Sequence, residues 1–128
     1  MHPHLLRLDL SEDTGRGALV LRAVGEVDIA SAPELEDSVN RALTLHRPLV
    51  LDLERISFMD ASGLRVLALA NRLAEKMGAP LTLLRPSRQV LRVLAITGML
   101  DTFVIAVNAD PQGRRRDGQE RVRREELG

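Results

Sequence analysis

Between Phe58 and Gly78 the chain reads FMDASGLRVLALANRLAEKMG, an apolar stretch that passes through a small polar turn into a long amphipathic run. Ser62 stands in that turn, between Asp60 and Gly63. A serine so placed can be a nucleophile, a helix-start residue or the acceptor of a covalent group. Nucleophilic catalysis needs a base within hydrogen-bond reach and oxyanion donors, and the usual elbow reads G-x-S-x-G. Here the run is D-A-S-G-L. The histidines are His2, His4 and His46; two lie at the terminus, and His46 ends a helical pattern, where a cation suits the helix dipole. Triad chemistry is disfavoured.

Other chemistries lack their parts. The glycines of GRGAL, Gly15 and Gly17, fall in a hairpin turn rather than between a strand and a helix, and no G-x-x-x-x-G-K occurs. Asp28, Asp52 and Asp60 all lie near expected strand ends and would suit an acidic metal pocket of a receiver-type domain. That pocket also wants paired acids after the first strand and a lysine on a late strand, whereas Lys76 is the only lysine. Solvated or capping carboxylates are the reading for all three, with no metal and no cofactor. If Asp60 caps a helix, Ser62 lies in its first turn, where free N–H groups and the dipole accept a phosphate on its hydroxyl. Position therefore favours modification over catalysis.

The elements that must hold this turn follow from periodicity. Leu6, Leu8 and Leu10 alternate with Arg7 and Asp9 as in a half-buried strand, SEDTGRG is turn composition, and ALVLRAVGEVD is a second strand, giving an antiparallel hairpin. Ser31 and Glu34 form a capping-box pattern with Pro33 in the first turn, opening a helix with Leu35, Val39, Ala42 and Leu43 on one face. PLVLDLERISF is apolar at nearly every position around Leu51, as in a strand covered on both faces. Helical periodicity resumes from Gly63 through Val66, Leu67, Ala70, Leu73, Ala74 and Met77, and ends at Gly78 and Pro80. LTLL is a short strand, SRQVLRVLAITG a helix capped by Ser87 and ended by Gly98, and TFVIAV a last strand.

The order β-β-α-β-α-β-α-β indicates one α/β domain with a mixed, mostly parallel sheet and packed helices. In such sheets the loops at the carboxyl ends of strands collect functional groups. Residues 1–109 form this domain, and 110–128 a charged, disordered tail in which six arginines meet five acids.

Composition narrows the function. The 18 basic and 18 acidic side chains cancel, and without Trp or Tyr there is no stacking platform, so direct nucleic-acid binding is not expected. No cysteine is present, which removes disulfides and thiol chemistry. No apolar run reaches the ~20 residues of a membrane helix, and the start lacks a leader pattern, so a cytoplasmic protein without membrane insertion is expected.

LVLDLERISFMDASGLRVLALA resembles the central signature of STAS domains, the sulphate transporter and anti-sigma factor antagonist fold. AVGEVDIASAPELE is similar to that family's G-E-[LV]-D segment, and GAPLTLLRPSRQVLRVLAITGMLDTFVI to its closing strand-helix-strand, so the likeness spans residues 5–107. It implies a STAS-like fold and a bacterial anti-sigma factor antagonist, a regulatory protein rather than an enzyme. Unmodified, such a protein binds an anti-sigma factor that is also a serine kinase, and so frees a sigma factor. Phosphorylation switches it off, and a serine phosphatase resets it. By the motif match the acceptor is Ser62, with Glu26, Asp28, Asp60, Ala61, Gly63, Leu64 and Arg65 at the partner surface. Ala61 departs from members with a hydroxyl residue there, leaving one acceptor in the motif. The resemblance also admits a non-phosphorylated accessory subunit of a lipid-transport ATPase or other adaptor complex. A transporter's cytoplasmic domain fits less well, for want of membrane segments.

Overall fold

The computed structural model of the chain describes residues 5–107. The expected tail, the boundary at 109, His2 and His4 lie outside the described residues. Five strands and three helices follow in the anticipated order: β1 Leu6–Asp13, β2 Ala18–Val27, α1 Ala32–Leu43, β3 Leu49–Met59, α2 Ala61–Met77, β4 Leu81–Leu84, α3 Arg88–Ile96 and β5 Val104–Ala106. A short 3₁₀ turn, Leu100–Thr102, precedes β5 and has no counterpart in the periodicity.

The sheet runs β1-β2-β3-β4-β5, with β1 antiparallel to β2 and every later pair parallel. Alternation decides which face is buried. Leu19, Leu49 and Leu81 share one cross-sheet row, and Leu21, Leu51, Leu83 and Ile105 the next. All seven are buried, in one core with Leu35, Val39 and Leu43 of α1, Leu67 and Ala70 of α2, and Val90 and Leu94 of α3. Burying a leucine side chain contributes ~2 kcal/mol or more, so these rows account for much of the drive to fold.

The opposite face is less covered. Val20, Val24 and Val50 are half-buried and Arg22 and Arg55 exposed, so β3 is not closed on both faces as its apolar run suggests. Asp52 is the exception on that face. Only 7% exposed, it accepts the Glu54 N–H at 3.2 Å and lies 3.5 Å from the Arg85 guanidinium, which gives the buried charge a partner. Along β1 the half-buried pattern also fades. Leu6 is buried and Leu8 partly so, but Leu10 is 46% exposed on the edge strand, although its partner Leu21 is buried.

The helices end where their signals place them. Gly78 takes the left-handed conformation at φ 68° and closes α2, with the Ala79 N–H returning to the Ala74 carbonyl at 3.1 Å. Ser87 caps α3, its Oγ accepting the Val90 N–H at 3.3 Å.

Candidate functional site

The carboxyl ends of β2 and β3 lie side by side, with Glu26 opposite Phe58 and Val27 opposite Met59. The Asp60 N–H donates to the Val27 carbonyl at 3.2 Å and holds the two outgoing loops together. One loop presents Asp28, Ile29 and Ala30; the other presents Asp60, Ala61 and Ser62.

Asp28 ends β2 by binding the chain just beyond it. Its Oδ1 accepts the N–H groups of Ala30 and Ser31, each at 3.0 Å. Its own N–H donates to Ser31 Oγ at 3.0 Å, and that hydroxyl donates to the Glu26 carbonyl at 2.9 Å. The expected cap of α1 is therefore not formed by Ser31, whose side chain is buried, turned back towards β2 and makes no capping bond to the helix. The Ser31 N–H, helped by its hydroxyl and the Ala30 N–H, holds the Asp28 carboxyl below its ordinary 3.8 against the opposing effect of desolvation. A depressed carboxylate pKa means that this stabilisation of the loop is present at neutral pH. It is lost as pH falls through the lowered value.

At the second loop Asp60 is extended and caps α2, its Oδ1 accepting the Ser62 N–H at 2.9 Å. The cap starts the helix at Ala61, ahead of the Gly63 indicated by apolar spacing. Losing this bond should cost about 1 kcal/mol, so Asp60→Ala should lower the melting temperature by roughly 4–8 °C. A melting curve unchanged or raised would contradict the capping role.

The expected contact residues divide by burial. Ala61 and Arg65 are exposed, and Glu26, Asp28 and Asp60 are half-buried. Gly63 and Leu64, expected at the partner surface, are buried and face the core. A Cβ on Gly63 would come 2.7 Å from Met59 Cγ and 2.8 Å from Val27 Cγ1, so this glycine lets α2 settle onto the ends of both strands. Leu64 is 8% exposed and anchors the same turn.

Ser62 is half-buried, and its hydroxyl has no hydrogen-bond partner among the described residues. Among the described residues no histidine approaches it. His46 follows α1 and precedes β3, at the end of the sheet opposite the Ser62 turn. Asp52 pairs with Arg85 rather than joining Asp28 and Asp60, and among the described residues no three His, Asp or Glu side chains gather to hold a metal. The arrangement offers a half-buried hydroxyl at a helix start, beside the capping Asp60 and the loop that carries Asp28.

Sequence reasoning missed two parts of that surface. Ile29 is 80% exposed and Phe58 is 42% exposed, one in the β2–α1 loop and one near the end of β3. An isoleucine directly after the turn-forming Asp28 was the available signal. Gln89 of α3 also reaches in, its Nε2 donating to the Met59 carbonyl at 3.3 Å.

Residues 10–111 match the STAS domain family. The anti-sigma-B factor antagonist of Bacillus subtilis is 32% identical over 89 residues, covering 70% of this chain and 80% of that protein. A crystal structure of an anti-sigma factor antagonist from Mycobacterium paratuberculosis superimposes with a TM-score of 0.68 at 24% identity, over 78% of this chain and 84% of the other. The anti-sigma factor antagonist SpoIIAA in its unphosphorylated form gives a TM-score of 0.63 at 25% identity, over 78% and 88%.

Proposed function

This chain belongs to the STAS domain family, and we propose that within it the protein acts as an anti-sigma factor antagonist switched by phosphorylation of Ser62. In the unmodified form the surface of Glu26, Asp28, Asp60, Ala61 and Arg65 docks an anti-sigma factor with serine kinase activity and so releases a sigma factor in the cytoplasm. Gly63 and Leu64 contribute by fixing the height of the first turn of α2. A serine phosphatase restores the docking form. The observation that carries this reading is the Ser62 hydroxyl, unpartnered among the described residues, in the Asp60-capped first turn of α2 beside the loop that carries Asp28. Likeness to a protein named anti-sigma-B factor antagonist supports it.

The switch is electrostatic. A phosphate adds about −1.5 to −2 charges and competes with the Asp60 carboxylate for the N–H groups of the same helix start. The docking surface, arranged around a neutral hydroxyl, then carries a cluster of like charges.

Ser62→Ala should keep partner affinity and abolish phosphorylation. Ser62→Asp supplies less charge and should weaken binding by less than a phosphate does. Both variants should stay folded within about 1 kcal/mol, since no hydrogen bond of the hydroxyl is broken. Incubation with the partner kinase and ATP, followed by mass-spectrometric mapping, tests the assignment. Phosphate on Ser62 is the expected result, and phosphate only at another residue would refute it. A stable complex with no modification at all would favour a permanent adaptor instead.

A further inference from the structure

We propose that the less covered face of the sheet carries a second, separate site, in which Arg7, Arg22 and Arg55 bind a phosphate-bearing anion. Arg7 of β1 and Arg55 of β3 both pair with Val24 of β2, so the two arginines flank one residue on the same face. Arg22 lies two residues along β2 and points the same way. The outer Cα atoms are about 10 Å apart at two strand spacings, which three long side chains can close around one small ligand. They line a cleft of about 380 Å³ together with Leu8, Asp9 and Val24. That volume is within the range of small-ligand sites.

Charge supplies the chemistry. Three guanidiniums meet one carboxylate in the cleft, and none of the three makes an ion pair or hydrogen bond with another described residue. Asp9 and Asp52 both stand opposite Arg22 in register. Asp9 does not reach ion-pair distance, and Asp52 is engaged by Arg85 and the Glu54 N–H. Like charges converging in a concave site raise the local positive potential, and planar guanidiniums bind phosphate oxygens in pairs. The site is independent of Ser62 and of the switch proposed there.

Inorganic pyrophosphate is the probe, titrated into the full chain by calorimetry and by amide NMR. Saturable binding is expected, with shifts concentrated at Arg7, Arg22, Val24 and Arg55. Arg22→Gln should weaken it about tenfold, and the double variant Arg7→Gln/Arg55→Gln about a hundredfold, as expected for lost charge-assisted hydrogen bonds. Arg41→Gln, at an exposed pair with Asp37, should change nothing. All variants should melt with the parent, since the replaced groups are exposed. Cosedimentation with phosphatidylglycerol vesicles separates the sources: arginine-dependent binding to vesicles alone assigns a lipid headgroup, and pyrophosphate binding without vesicle binding assigns a soluble phosphate. Absence of binding in both arms, or binding indifferent to the arginine substitutions, overturns the proposal.

Discussion

Gly25→Ala is expected to destabilise the domain by more than ~3 kcal/mol, well beyond a typical surface change. Gly25 has φ +124°, and a Cβ built there would lie 1.5 Å from the Leu5 carbonyl oxygen. The clash is with backbone, so no side-chain rotation relieves it. The same carbonyl accepts the Glu26 N–H at 3.0 Å, and a register shift between Gly25 and Glu26 marks a bulge at this point. Alanine must therefore lift the start of β1, break that bond and displace the segment leading to Asp28. Gly17→Ala is the control. Its φ is +70°, but nothing lies within 4 Å of the added atom, so only the strain of the left-handed conformation remains, about 1 kcal/mol. Thermal unfolding of the two variants should differ by roughly 8 °C or more, the Gly25 variant melting lower. Equal melting temperatures would show that the hairpin does not need to approach Gly25 so closely.

This difference between two glycines illustrates what was legible in the sequence and what was not. Both stand in or beside the first hairpin, yet only the register of β1 on β2, a non-local fact, brings Leu5 against Gly25. The element order and the caps at Asp60, Gly78 and Ser87 were readable, because alternation, helical spacing and capping are local, whereas the cross-strand rows of the core needed the register. Ser62 in the first turn of α2 followed from the same local rules. The capping box at Ser31 was not realised, since the Asp28 carboxylate captured the Ser31 N–H and the Glu26 carbonyl drew the hydroxyl away. Gly63 and Leu64 belong to the same motif as Ser62 but are turned to the core. A motif conveys which residues cluster, while helix rotation decides which of them face the core. The exposure of Phe58, and the arginine cleft across three strands, needed the folded sheet.

The second large effect concerns the switch. Phosphorylation at Ser62 should weaken docking of the anti-sigma factor by two to three orders of magnitude. One like-charge pair at ~4 Å and an effective dielectric of ~20 costs about 4 kcal/mol, and each 1.4 kcal/mol is tenfold in affinity. Asp60 accepts the Ser62 N–H at 2.9 Å and Asp28 lies on the adjoining loop, so a phosphate concentrates negative charge that docking must desolvate or set against a partner surface fitted to a neutral hydroxyl. One such unfavourable pair with the partner is enough. The unmodified surface has no comparable penalty, because the Asp28 and Asp60 carboxylates are each satisfied by N–H groups of their own loops.

Calorimetric titration of the cognate anti-sigma factor with the unmodified chain, and with the chain carrying phosphoserine at position 62, tests the account most directly. Tight binding of the first and affinity at least a hundredfold lower for the second is the result the electrostatic switch predicts. Equal affinities would contradict it, and would leave Ser62 as a small helix-start residue on a permanently docked surface.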